Sequence, residues 1–84
     1  MTRLVGSQSR PVRSSAATDV VGLLGRNVRV LRTTADLSQE ELAFRASMKR
    51  SYLSDLERGT RNPSVRALGR LAAALGVPPS RLLE

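Results

Sequence analysis

The segment from residue 37 to residue 63, LSQEELAFRASMKRSYLSDLERGTRNP, constrains the fold more than any other part of the chain. Ser38 and Glu41 have the spacing of a capping box, in which each side chain bonds to the backbone N–H of the other residue. Leu37 and Leu42 flank this box as a hydrophobic staple, which fixes the angle at which the chain enters a helix. The segment therefore begins with a short, well-capped helix.

A second helix follows the first after a tight turn. The first helix is predicted from about Gln39 to Ala46, and the second from Arg50 to Arg58, where Gly59 stops it. At about 100° per residue, Leu53 and Leu56 point to the core, and the opposite side carries Ser51, Ser54, Asp55 and Arg58. Two helices joined in this way form a helix-turn-helix, which places its second helix in the DNA major groove.

Hydrophobic periodicity extends the helical pattern to the flanks of this motif. A first helix, capped by Thr18 or Asp19, carries an apolar stripe of Val21, Leu24, Val28 and Leu31. A fourth helix, between the Asn62-Pro63-Ser64 turn and Gly76, carries a stripe of Val65, Leu68, Leu71, Ala72 and Leu75. Residues 80–84 can add a last helical turn. Since there is no strand signal, residues 19–84 are predicted to form one all-α domain of five helices.

Residues 1–18 have no sustained periodicity and contain Arg3, Arg10 and Arg13. We predict a flexible basic N-terminal tail. Such a tail could reach DNA as a basic arm, or it could be an extension without a role, and the residues leave both interpretations open.

The charge balance favours a polyanionic partner. The 84 residues contain 14 Lys and Arg against seven Asp and Glu, which gives a net charge of +7 and a pI near 11.7. Nucleic acid is the partner that such a balance favours most. A solvated basic surface without a partner is the alternative. A chain this short buries only about 60–70% of its unfolded surface, so a second subunit would help to stabilise it.

The residue types that are missing exclude several functions. Without Cys or His, the chain has no disulfide, no zinc-ligand set and no general base near neutral pH. We therefore expect no metal, no cofactor, no small-molecule ligand and no enzymatic activity. No apolar run suits a membrane span or a signal peptide, which favours a cytoplasmic protein without a membrane partner. Phe44 and Tyr52, the only aromatic residues, are too few to stack the bases of a single strand.

Four segments carry a resemblance to a known family: Leu37–Ala43, Leu53–Gly59, Asn62–Ser64 and Leu71–Val77. Together they resemble the Cro/phage-repressor (XRE-type) helix-turn-helix family over about residues 20–84. The resemblance implies a lambda-repressor-like five-helix fold and a transcriptional regulator that binds specific double-stranded DNA. Within that family, Arg50–Ser54 followed by Glu57-Arg58-Gly59 also looks like the controller proteins of restriction-modification systems.

The exposed face of the third helix holds the candidate base contacts. Arg50 lies at the helix N-terminus, the end that docks toward base edges, where an arginine can bond a guanine bidentately. Ser51 can bond several bases, and Ser54 shares its face. Asp55 either accepts from a cytosine amino group or excludes other sites, because phosphates repel a carboxylate. The alternative for Arg50 and Asp55 is a solvated side chain without a partner.

Other residues are candidates for phosphate contact. Gln39 occupies the first turn of the second helix, where both the resemblance and the helix N-terminus favour an anion. The resemblance places Arg61 and Asn62 against the DNA backbone, and Lys49 and Arg58 complete this set. Such contacts set orientation and carry no sequence information.

Three positions depart from the family pattern. Lys49 stands where the resemblance puts an N-cap Ser, Thr or Asp, so either Ser47 caps one turn earlier or phosphates neutralise the lysine. Asp36 and Ser47 stand where relatives often carry Gly, at positions that are expected to need a left-handed backbone.

Two predictions concern packing and assembly. By resemblance, Arg32 and Glu57 form a partly buried ion pair that ties the third helix to the first. Dimerisation is predicted through Val77, Leu82 and Leu83, since one helical turn cannot bury both adjacent leucines in the same subunit. A homodimer would place two copies of the third helix about 34 Å apart on a pseudo-palindromic operator.

Two alternatives to a simple regulator remain. One is an antitoxin-type regulator that also binds a partner protein through the tail or the last helix. The other is a protein-protein adaptor that keeps the fold without binding DNA. Lys49 and Arg50, on the exposed helix face, count against the adaptor.

Overall fold

The structure is a computed structural model that describes residues 19–84. These residues form α1 (Val20–Thr34), α2 (Gln39–Arg45), α3 (Arg50–Glu57), α4 (Val65–Leu75) and a closing 3-10 helix (Pro79–Leu83). The predicted all-α class is confirmed, with a 3-10 helix as the fifth element. The tail predicted for residues 1–18 lies outside the described residues. None of the described helices is long and apolar enough to cross a membrane.

Polar side chains cap the N-termini of α1, α2 and α4. Asp19 accepts from the backbone N–H of Gly22, and Ser64 begins α4 in the same way. The capping box of α2 is confirmed: Ser38 Oγ accepts from Glu41 N at 3.0 Å, and Glu41 Oε1 accepts from Ser38 N at 2.8 Å. The bond from the Ser38 backbone, followed by the bond with its side chain, lowers the pKa of Glu41 below its ordinary value.

Two left-handed residues shape the connections on either side of α2. Asp36 has φ 60° between α1 and α2, and Ser47 has φ 56° between α2 and α3. These are the two positions where the sequence predicted such a backbone. Lys49 is the N-cap of α3 and makes no side-chain capping bond. Because α3 begins at Arg50, Ser47 is not an earlier cap, and that alternative is wrong.

Apolar side chains from every helical element meet in one core. The largest buried members, each at most 3% exposed, are Leu24, Val28, Leu42, Leu53, Leu56, Leu71 and Leu82. Helix α1 is central to this arrangement, because it packs against α3, α4 and the 3-10 helix. The core orientation predicted for Leu53 and Leu56 is confirmed.

Val65 does not join the apolar stripe in which the sequence placed it. Its side chain is 86% exposed, whereas Ala67 is 2% exposed. Val65 is the first residue of α4 and lies at the rim of a small cleft, whereas Ala67 in the same turn faces the core. Periodicity places Val65 in the stripe but cannot tell which edge of the stripe the neighbouring elements cover.

Leu82 and Leu83 have different environments. Leu82 is fully buried in the core of its own subunit, whereas Leu83 is 43% exposed. The Leu82 carbonyl accepts from Asn27 Nδ2 at 2.8 Å, which ties the 3-10 helix to α1. The prediction that Leu82 lies at a dimer interface is therefore wrong, because the side chain has no surface to offer a second subunit. Leu83 is thus the leucine that its own subunit does not bury.

Helices α1 and α3 approach each other closely at Gly25. A Cβ atom on this residue would lie 2.4 Å from the Leu56 carbonyl oxygen and 3.0 Å from that of Glu57. These neighbours are backbone atoms, so a side chain at Gly25 would push the helices apart. The absence of a side chain sets the distance between α1 and the C-terminal half of α3.

Candidate nucleic-acid interface

A buried ion pair orients α3 on the rest of the domain. Arg32 Nε donates to Glu57 Oε2 at 2.7 Å and Arg32 Nη2 donates to Glu57 Oε1 at 3.1 Å. Their side chains are only 12% and 3% exposed. Arg32 Nη1 also donates to the Leu37 carbonyl at 2.8 Å, just before α2. One guanidinium thus joins α1, the start of α2 and the end of α3 at the positions that the sequence suggested for an ion pair.

Gln39 takes part in the same network. Its Nε2 donates to Glu57 Oε1 at 3.0 Å, and the residue is partly buried. The sequence assigned Gln39 to a phosphate contact, whereas its amide nitrogen is bonded within the protein. The structural role of Gln39 had no signal in the sequence, because its partner lies 18 residues away.

Basic and hydroxyl side chains are exposed where α3 begins. Lys49, Arg50 and Ser51 are all exposed, and the first turn receives no side-chain cap. An α-helix leaves its first backbone N–H groups without intrahelical partners, which gives this end a partial positive charge. Positive side chains add to that charge, so this end of α3 attracts anions and presents hydrogen-bond donors.

Further along α3, the carboxylate of Asp55 lies between two arginines. Arg58 Nη2 donates to Asp55 Oδ1, and Arg61 Nη2 lies 3.8 Å from Asp55 Oδ2. The Arg61 guanidinium carbon lies 4.7 Å from the centre of the Tyr52 ring, within the range of a cation–π contact. We call Tyr52, Asp55, Arg58 and Arg61 the Asp55 cluster.

These pairings were not predicted from the sequence. Asp55 and Arg58 have the i, i+3 spacing of a helical ion pair, which was a usable signal. Arg61 gave no such signal, because it follows the helix and reaches Asp55 only through the path of the loop. Ser54 is engaged as well: its Oγ accepts from Arg58 Nη1 at 3.3 Å.

A basic groove of about 490 Å³ runs beside α3. Lys49, Tyr52, Arg61 and Arg70 all line it. Arg70 comes from α4 and is held by a bond from its Nε to the Ala46 carbonyl at 2.9 Å. The groove brings together Lys49 and Arg61, both predicted phosphate contacts, and adds Arg70, which periodicity alone could not place there.

An apolar patch lies around a small cleft of about 150 Å³ formed by α1, the loop before α4, the start of α4 and the 3-10 helix. Its exposed members are Val20, Val65 and Leu83, which are 47%, 86% and 43% exposed. Asn62, a predicted phosphate contact, lines this cleft and not the basic groove. Val77, a predicted dimer residue, is partly buried against the core.

The fold and this surface define a helix-turn-helix domain whose second motif helix presents basic and polar side chains to solvent. The helix-turn-helix family model matches residues 28–82. The chain belongs to this family, in its XRE-type branch. Within residues 19–84, no three His, Cys, Asp or Glu side chains gather in a way that could hold a metal ion.

Particular members of the family are similar over most of the chain. The control protein C.BamHI of Bacillus amyloliquefaciens is 46% identical over 63 residues, which cover 74% of this chain and 78% of that protein. The crystal structure of the restriction-modification controller protein C.AhdI from Aeromonas hydrophila is 44% identical, covers 74% of this chain and 94% of its own, and has a TM-score of 0.72. The structure of the biofilm master regulator SinR in complex with DNA is 35% identical, with coverages of 73% and 98% and a TM-score of 0.69.

Proposed function

We propose that this protein is a transcriptional regulator that binds a specific double-stranded DNA site with α3 in the major groove. The observation that carries the proposal is the exposed, uncapped start of α3, where Lys49, Arg50 and Ser51 project from a helix held in place by the buried Arg32–Glu57 pair. The net charge of +7 supports a polyanionic partner. The similarity to SinR, whose structure contains DNA, supports the same partner.

The proposed division of labour follows from where the side chains lie. Arg50, Ser51 and Ser54 contact base edges, because an exposed face at a helix N-terminus is the part of this motif that enters the groove. The phosphate contacts are proposed to come from Lys49 and Arg61 in the basic groove, from Arg58, and from Gln39 and Asn62 at the ends of the motif.

Selection from a random DNA pool, followed by binding measurements on the selected site and on random duplex, tests this proposal. Arg50→Ala should weaken binding to the selected site by about 1–3 kcal/mol and change binding to random duplex little, because a bidentate base contact is lost. Arg29→Ala, an exposed arginine on α1, is the matched control and should affect both duplexes slightly and equally. Equal losses for Arg50→Ala on both duplexes would make it a phosphate contact, and failure to select any sequence would refute the proposal.

The protein is proposed to bind as a homodimer that covers the apolar patch. Val20, Val65 and Leu83 expose apolar surface in one region, and a two-fold dimer would bury the same patch on both subunits. Two copies of α3 would then lie about one DNA turn, roughly 34 Å, apart on a pseudo-palindromic operator. This patch replaces the interface of Val77, Leu82 and Leu83 that the sequence suggested, with Leu83 retained.

Sedimentation equilibrium tests the dimer. Exchange of both Val65 and Leu83 for serine should give a folded monomer that keeps weak, salt-sensitive binding to any duplex but loses most of its specific affinity. Val30→Ser is the control, because Val30 is 57% exposed on α1 but does not line the cleft. A monomeric unmodified protein at tens of micromolar, with a selected site that lacks two-fold symmetry, would contradict the dimer.

Control of a restriction-modification system is the biological role that the relatives favour. C.BamHI is named a control protein and C.AhdI a restriction-modification controller protein, and both match most of this chain. The proposal predicts that the selected site occurs upstream of restriction or methyltransferase genes in the source genome. If the selected site occurs only beside unrelated genes, the role in restriction-modification is refuted and the protein regulates other genes.

A further inference from the structure

The Asp55 cluster places a negative charge in the middle of the proposed DNA-binding surface. Asp55 follows Ser51 and Ser54 on the outer side of α3, and its side chain is 35% exposed. Its two carboxylate oxygens face different arginines: Oδ1 accepts from Arg58 and Oδ2 lies 3.8 Å from Arg61. A single carboxylate therefore partly neutralises two cations that the proposed function assigns to phosphate.

The backbone around Asp55 holds this arrangement in place. The Asp55 carbonyl accepts from Thr60 N at 3.0 Å and from Thr60 Oγ1 at 3.1 Å, which folds the loop back on the end of α3. That fold brings Arg61 over the Tyr52 ring and toward the carboxylate. The cluster is therefore built by the loop geometry as well as by the helical spacing of Asp55 and Arg58.

This charge has different consequences on different DNA sites. On any duplex, Arg58 and Arg61 approach phosphates with Asp55 beside them, so their attraction to the backbone is reduced. On a site that presents a cytosine to this part of α3, the N4 amino group can donate to the carboxylate and compensate for the repulsion. Guanine and thymine present no donor in the major groove, and the N6 amino donor of adenine lies next to its N7 acceptor, which repels a carboxylate. The penalty thus falls mainly on incorrect sites.

We propose that Asp55 is a specificity-determining residue that restrains Arg58 and Arg61 and weakens binding wherever no cytosine amino group meets its carboxylate. This inference rests on the proposed function, because it assumes that α3 enters the major groove. It assigns Asp55 a role in rejecting sites that goes beyond a single base contact. The contributions of Arg58 and Arg61 to non-specific affinity then depend on the charge of Asp55.

Asp55→Asn tests the proposal, because it removes the charge and keeps the shape. Affinity for random duplex at about 0.15 M salt should rise by roughly three- to tenfold, since one charge next to the phosphates has been removed. The slope of log affinity against log salt should become steeper by about 0.9, as expected for one more counterion released. Affinity for the selected site should not rise. The ratio of the affinity for the selected site to the affinity for random duplex should therefore fall by at least the factor by which the affinity for random duplex rises.

A second selection with the variant protein identifies the base involved. The unmodified protein should prefer cytosine at one position of each half-site, and Asp55→Asn should lose that preference while it keeps the preference assigned to Arg50. Asp55→Glu, which restores the charge on a longer side chain, should recover the shallow salt slope. A role limited to stabilising the fold would move neither the salt slope nor a single base preference.

Glu84→Gln is the matched control. Glu84 pairs with Arg81 at 3.7 Å and i, i+3 spacing, so this change also removes one negative charge from one arginine. The 3-10 helix packs against α1 and α4, so the change lies outside α3 and the loop that follows it. The control should leave the random affinity and the salt slope unchanged.

The outcomes separate the two proposals. If the unmodified protein binds no sequence better than random duplex, the proposed function fails. If it binds selectively but Asp55→Asn leaves the salt slope, the random affinity and the cytosine preference unchanged, the proposed function stands and the role of Asp55 is refuted. If Asp55→Asn weakens both duplexes equally, Asp55 acts only by positioning its arginines, and the rejection role is also refuted.

Discussion

The buried pair of Arg32 and Glu57 allows a quantitative test of how the DNA-binding helix is held. The pair spans α1 and α3, and Gln39 of α2 bonds to the same carboxylate. The relevant perturbation is removal of each partner by alanine, alone and together. The double mutant shows how much of the loss comes from the interaction itself.

The expected size of the effect follows from the contacts. Glu57 accepts three side-chain hydrogen bonds, from Arg32 Nε at 2.7 Å, Arg32 Nη2 at 3.1 Å and Gln39 Nε2 at 3.0 Å. Glu57→Ala removes all of them and leaves a guanidinium that is only 12% exposed without its counter-ion. Removing one partner of a buried pair typically costs about 3–5 kcal/mol. Arg32→Ala should cost a similar amount, since Glu57 would keep only a neutral amide donor.

The double mutant should be less destabilised than the sum of the single mutants. Each hydrogen bond to a charged group contributes about 1.5–3 kcal/mol, so the coupling free energy should be at least in this range. Urea unfolding followed by circular dichroism at 222 nm measures it. In a domain of this size, a loss of 3 kcal/mol should lower Tm by more than about 10 °C.

The surface pair of Arg81 and Glu84 is the control for this cycle. Its atoms are 3.7 Å apart and its side chains are 42% and 64% exposed, so its coupling should be below about 1 kcal/mol. Exchange of Arg32 for methionine together with Glu57 for leucine should recover most of the lost stability, because no buried charge is then left unpaired. Additive losses in the Arg32–Glu57 cycle, or a coupling no larger than that of the surface pair, would show that this buried pair does not hold α3 in place.

Three further predictions concern the frame of the domain. Gly25→Ala should destabilise the fold by about 1–3 kcal/mol in thermal unfolding, because its Cβ would collide with a backbone oxygen of α3. The control Gly69→Ala should be neutral or stabilising, because a Cβ atom there would meet nothing within 4 Å. Equal effects of the two changes would contradict the close contact at Gly25. Ser47→Gly should raise stability by about 1 kcal/mol, since it relieves a left-handed serine, and an unchanged or lower Tm would argue against strain there. Because the pKa of Glu41 is lowered in the folded state, its charged form stabilises the fold. This stabilisation is fully present at pH values above the ordinary glutamate pKa of about 4.3, and it is lost as the pH falls through the lower folded-state pKa. The stability difference between the unmodified protein and Glu41→Gln should therefore shrink in acid, and a difference that stays constant from pH 7 to pH 2 would contradict this.

Local features of the fold were predictable because their causes lie within a few residues. The capping box depends on Ser38 and Glu41 alone, and their bonds of 3.0 and 2.8 Å are those that the spacing predicts. The left-handed conformations of Asp36 and Ser47 were expected from the resemblance, because relatives often carry Gly at these two positions. For the capping box, the backbone geometry and the responsible side chains belong to the same stretch of sequence.

The errors arose where a side chain depends on what covers it. Periodicity placed Val65 in the apolar stripe of α4, but its side chain is 86% exposed at the rim of the cleft that it lines with Val20 and Leu83. Adjacent Leu82 and Leu83 are equivalent in the sequence, and only the packing of the 3-10 helix, which the bond from Asn27 to the Leu82 carbonyl ties to α1, shows which of them enters the core. Arg61 reaches Asp55 only because the loop after α3 folds back.

The two kinds of arginine–carboxylate contact in this domain have different physical consequences. The Arg32–Glu57 pair is nearly excluded from water, so salt screens it little and it can fix the orientation of α3 under conditions in which DNA is released. The contacts of Asp55 with Arg58 and Arg61 are partly solvated, so phosphates, ions or bases can replace them at little cost. The buried arginine–carboxylate pair thus holds α3 on the domain, whereas the partly solvated contacts on the outer face of α3 can be exchanged for others. The proposed recognition of one DNA site among many would use both properties, because a fixed frame makes a wrong base costly and an exchangeable charge allows the correct base to replace an internal contact.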